Sequence, residues 1–106
     1  MASVRDEINA TLDGINDMLI ASNDEDERRR LREQRATYMG LLQQQVKDEL
    51  DANDADFEAA IEALKAATEA AAEAKKDIEK IAAGIAKAAA AVNAVSKILK
   101  PVLGAI

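Results

Sequence analysis

The chain has 106 residues, no Cys, His or Trp, one Tyr, one Phe and a formal net charge of −6. Without thiols it forms no disulfide and offers no cysteine nucleophile, and without imidazole it lacks the commonest general base and metal ligand, so a non-enzymatic protein without cofactor or metal is expected. The negative charge repels phosphate and disfavours nucleic acid as a partner, while the opening MASVRDEINA carries no apolar signal-peptide run, so the expected location is cytoplasmic, with a peripheral membrane association as the variant.

The first element is a helix over about 4–21. Ser3 followed by Asp6 has the spacing of a capping box, and Val4, Ile8, Leu12, Ile15 and Leu19 recur at helical period. Ser22 followed by Glu25 offers a second box, opening a helix over about 24–51 whose first turn is acidic, as suits the positive end of a helix. Its apolar line, Leu31, Tyr38, Leu42, Val46 and Leu50, is interrupted by Arg35. Arg28, Arg29, Arg30, Arg32 and Arg35 resemble an anion-binding run, but acids precede them. Asp24–Arg28, Glu25–Arg29 and Asp26–Arg30 stand at i,i+4 with the acid first, and Arg29–Glu33 extends the set, so a self-neutralised solvated face is expected. Asp51, Asn53 and Glu62 match three positions of a calcium-binding loop. Ala55 stands where a further ligand belongs and Asp56 where the turn requires Gly, so these residues are read as the cap and first turns of the next helix. Glu69 and Glu73 share a helix face, which is ordinary surface charge in a chain without His.

From Ala55 no turn signal is recognised before Pro101, and a third helix over about 55–100 is expected, with a possible kink near Gly84. Phe57, Ile61, Leu64, Thr68, Ala71, Lys75, Ile78, Ala82, Ile85, Ala89, Val92, Ser96 and Leu99 repeat every 3.5 residues, the period of a left-handed coiled coil. The neighbouring Ile81, Ala88, Val95 and Val102 widen the stripe. At ~1.5 Å per residue such a helix reaches roughly 69 Å against roughly 42 Å for the second, so the first two helices leave its end uncovered unless it bends at Gly84 or meets another chain or lipid. The fold expected is all-α, an antiparallel helical bundle or coiled coil of three long helices.

Charge divides the chain into two parts. Residues 1–74 hold 8 Lys/Arg against 18 Asp/Glu, while 75–106 hold 6 Lys against 2 acids, and from Ile81 onward there is no acid. An acidic helical body over 1–80 and an apolar, weakly cationic tail over 81–106 are the expected divisions. Two functions compete. A homo-oligomerisation or protein-binding module would use Phe57, Ile61, Leu64, Ile78, Ala82, Ile85, Ala89, Val92 and Leu99, with Ala82, Ala86, Ala90 and Ala94 as a close-packing row whose alanines are equally explained by helix propensity. A membrane-active or membrane-anchored protein would instead lay Ile81, Ile85, Val92, Val95, Leu99, Val102 and Leu103 in a leaflet, with Lys87, Lys97 and Lys100 at the headgroups. The tail's longest uncharged interior run, Ala88 to Ser96, is too short to span a bilayer, which needs ~20 apolar residues.

Overall fold

The computed structural model describes residues 4–43 and 54–98. Within them the chain is all-helical: α1 (Val4–Ala21), α2 (Glu25–Gln43), α3 (Asp54–Lys76) and α4 (Ile81–Ser96), with one 3-10 turn at Ile78–Lys80. The expected first helix is found at its expected bounds, and the second begins where expected; Ser3, Val46, Leu50, Asp51 and Asn53 lie outside the described residues.

The α1–α2 connection is held by side chains that supply partners for exposed helix ends. Asp24 is the cap, two residues after the expected Ser22: its Oδ1 accepts from Glu27 N at 3.0 Å. Ser22 is buried and ties the turn together, its Oγ accepting from Asp24 N and donating to Glu27 Oε1, each at 3.2 Å. Arg28 does not pair with Asp24 as expected. Its Nη1 donates to the carbonyls of Leu19 at 2.6 Å and Ser22 at 3.2 Å, placing a cation on the negative C-terminal end of α1. The expected i,i+4 ladder is reduced, among the described residues, to an exposed Asp26–Arg29 pair at i,i+3, 3.5 Å apart, whose solvation leaves it little energetic weight.

The third helix is two helices, and the break falls at Asp77 rather than Gly84. Asp77 leaves the helical region (φ −144°, ψ 104°) and its carboxylate accepts from Glu79 N at 3.0 Å. Lys75 and Lys76 occupy the last turn of α3, where cations are attracted to the negative end of the helix dipole, so the sequence Lys-Lys-Asp is a helix stop followed by a helix start. Gly84 lies inside α4 and makes room for α1: a Cβ there would stand 2.5 Å from Met18 Sδ. Because the chain doubles back, the described residues extend over 43 × 31 × 17 Å, far short of a ~69 Å rod, and Ile81, Val95 and Ile98 are buried within their own protomer.

The register between the two hairpins is set by small and polar residues. Thr11 Oγ1 lies 3.1 Å from the Leu64 carbonyl and 3.0 Å from Thr68 Oγ1, Gly14 abuts Ala71, and Lys75 Nζ is 3.8 Å from Asp17 Oδ2. These contacts advance together along both helices, so α1 and α3 run the same way. Gln34 with Ile85 and Tyr38 with Ala88 give the same result for α2 and α4. The expected antiparallel arrangement therefore holds only within each hairpin.

The buried seam of α3 is Ala60, Leu64, Ala67, Ala71 and Ala74, and that of α4 is Ile81, Gly84, Ala88, Ala91 and Val95. The 3.5-residue period is as expected, but its phase is turned toward the alanines. Phe57, Ile61, Ile85 and Val92 sit half-buried at the edges, and Lys75, Ala82 and Ala89 face solvent. Small side chains at the centre let two backbones approach closely, and larger ones fill the flanks.

Gly14→Ala is expected to lose ~1–2 kcal/mol despite alanine's higher helix propensity, because the new Cβ would lie 2.7 Å from a Cβ fixed to the α3 backbone. Gly40→Ala, with nothing within 4 Å, is expected to gain ~0.5–1 kcal/mol. Denaturant melts of both variants test the contrast; equal effects would contradict the close approach. Asp77→Ala is expected to cost about 1 kcal/mol through the lost cap, read from the same melts.

Candidate interaction face

α4 is joined to the rest of the bundle by its inner face and by two donors from α2. Tyr38 is fully buried and its hydroxyl donates to the Ala88 carbonyl at 2.7 Å; Gln34 Nε2 donates to the Ile85 carbonyl at 2.8 Å. Gln34 Oε1 is buried and accepts no hydrogen bond among the described residues, a cost of ~1–3 kcal/mol that the amide's other end partly offsets. Neither donor was legible as a site residue: Tyr38 reads as one more apolar position in the second helix, and Gln34 carries no pattern.

The outer face of α4 is exposed at Ala82, Ala83, Ala86, Ala89 and Ala90, followed by Asn93. No acid lies on this helix. The larger apolar residues that the lipid reading needs are elsewhere: Ile81 and Val95 are in the core, and Ile85 and Val92 are half-buried against it. Of the residues expected at a partner interface, Leu64 is fully buried, Phe57 and Ile61 are half-buried, and Ile78 stands 50% exposed on the turn between α3 and α4. Lys87 and Lys97 are exposed, as headgroup or partner contacts require. Leu99, Lys100, Val102 and Leu103 lie outside the described residues.

On α3 the outward positions carry Glu58, Glu62, Glu69 and Glu73, all exposed, and the exposed Lys65 and Lys76 share their stripe at seven-residue spacing from Glu58 and Glu69. Glu73 also reaches Lys80 at 3.4 Å. Among the described residues no group of three or more ligating side chains could hold a metal ion, and no helix is long and apolar enough to cross a membrane. No protein-family model matches the chain, and no characterised protein or solved structure shows significant similarity to it.

Burial holds the Tyr38 phenol well above its usual range, since the charged phenolate would lose its water. With the folded-state value raised, the stabilisation is complete below the unfolded value of about 10 and is lost as pH climbs beyond it. In an alkaline titration, ultraviolet tyrosinate absorbance from this single tyrosine is expected to rise together with the loss of helical circular dichroism. Ionisation while the helices remain intact would contradict the burial.

Proposed function

We propose that this protein is a non-enzymatic helical interaction module that self-associates or binds protein partners through the α3–α4 hairpin. One observation carries the reading: α4 turns its bulky apolar residues into its own core and leaves an exposed, acid-free alanine face. Such a face contributes little hydrophobic area per residue, but it lets a second helix approach toward the ~8 Å end of packing distances, where dispersion contacts accumulate. It is poorly suited to lipid, which rewards large exposed apolar and aromatic side chains. A membrane role would require α4 to leave α3 and expose Ile81 and Val95; the absence of acids from Ile81 onward is the observation in its favour.

Size-exclusion chromatography with light scattering tests the self-association form of this reading. The expected mass rises above the 11.3 kDa protomer as concentration increases. Ala90→Trp, at an exposed position, should return it to the protomer value with unchanged helical content. Unaltered association of that variant would remove α4 from the contact.

A further inference from the structure

The outward groove of the α1–α2 hairpin departs from the acidic character of the chain. On α2, Arg28, Arg32, Arg35 and Met39 follow one another at alternating helical spacings, so they share a stripe. Arg28 reaches the last carbonyls of α1 from this flank, while Gln34 and Tyr38 reach α4 from the other, so the stripe borders α1 on the outside of the bundle. Arg5, Asn9, Leu12 and Asn16 repeat that spacing on α1, on the side opposite Thr11, Gly14 and Asp17, which meet α3. The turn at 22–24 sets Asn16 level with Arg32 and Asn9 level with Met39. No acid stands in either row. Glu33 lies about 100° around α2 from Arg32, and Asp6 and Asp13 border the far edge of α1. Arg32 is exposed and Arg35 half-buried, and neither has an ion pair among the described residues. Of the large apolar side chains exposed among those residues, Ile20 at 82% and Met39 at 53% flank this groove. They stand roughly 18 Å apart along the hairpin, the length of about three helical turns.

We infer that this groove seats an acidic amphipathic helix of a protein partner, with apolar side chains against Ile20, Leu12 and Met39 and carboxylates against Arg32 and Arg35. The surface belongs to the other hairpin, so the inference stands apart from the α3–α4 reading. A trough between two antiparallel helices, with both walls at helical spacing, is filled by a third helix laid along it. Guanidinium forks match carboxylates through paired hydrogen bonds, and burial of the apolar row adds to the attraction. Phosphate would satisfy the same forks, and shape decides against it. A nucleic-acid duplex or a bilayer reaches past the groove and meets Asp6, Asp13 and Glu25 on its borders, in the field of a chain of net charge −6. A helix lying in the groove turns its acids to the α2 wall alone.

Fluorescence anisotropy with a labelled helical peptide of about 14 residues, one row leucine and one flank glutamate, tests this on the full chain. The peptide should bind saturably in the micromolar range, and its lysine-for-glutamate counterpart at least ~10-fold more weakly. Arg32→Glu should weaken binding at least ~10-fold, and Met39→Ser, which leaves the charge unchanged, by ~3-fold or more. Lys87→Glu on α4 makes the same change in net charge as Arg32→Glu and should alter binding less than ~2-fold. Circular dichroism confirms that each variant folds. Ala90→Trp, which tests the α4 face, should leave peptide binding within ~2-fold of wild type, so the two readings fail separately. Equal weakening by Arg32→Glu and Lys87→Glu would reduce the effect to net charge and overturn the groove, as would a peptide that does not bind. Tighter binding of a short oligonucleotide or of anionic phospholipid vesicles than of the peptide, lost in Arg32→Glu, would assign the arginines to phosphate and overturn the helical partner.

Discussion

The structure depends on how closely its helices approach one another along faces of small side chains. Alanine or glycine occupies most of the buried face of each helix of the second hairpin, Ala60, Ala67, Ala71 and Ala74 on α3 and Gly84, Ala88 and Ala91 on α4, with Leu64, Ile81 and Val95 as the bulkier members. A seam of this kind removes less apolar area from water per residue than a leucine seam, and it recovers part of the difference through dispersion between backbones held near each other. It also explains why so few large side chains suffice. The chain has one Phe and one Tyr, and the hairpin does not need more. The same economy of volume recurs where the hairpins meet: Gly14 faces Ala71 and Gly84 receives Met18.

Polar side chains then select one arrangement among several that a smooth alanine surface would tolerate. Alanine faces slide easily, because they present few knobs to lock a register. Thr11 beside Thr68 and the Leu64 carbonyl, Tyr38 on the Ala88 carbonyl and Gln34 on the Ile85 carbonyl are directional contacts that fail on displacement by a single residue. Each donates to a helix carbonyl already engaged in its own ladder, so no helical bond is lost. The unsatisfied Gln34 Oε1 shows that register is kept even at some local cost.

Charge is organised around the helix ends and the outer faces. Arg28 caps α1, Lys75 and Lys76 close α3, Asp24 opens α2, and Asp77 opens the 3-10 turn that leads into α4. On the outside of α3 the acids Glu58, Glu62 and Glu69 share their stripe with Lys65 and Lys76, whereas α4 carries exposed lysines and no acid. The function proposed for this chain rests on the exposed, acid-free alanine face of α4.

The amino-acid order by itself determined that the described residues are helical, where the first helix begins and ends, where the second begins, and that the stretch after Ala55 carries a 3.5-residue seam. These are local properties, set by capping residues and by the period at which apolar side chains recur. It did not reveal the turn at Asp77, because no Gly or Pro marks it and an isolated Asp also occurs in helix interiors; Lys75 and Lys76 before it were the one local signal. The phase of the seam escaped for a related reason. Size suggested that Ile61, Ile78 and Ile85 were central, yet the centre went to alanine, since the larger residues would have held the helices apart. The donors from Gln34 and Tyr38, the parallel course of α1 and α3, and the direction in which each face of α4 points were decided only by tertiary structure. They depend on which helices become neighbours, and that is a property of the packed whole rather than of any segment.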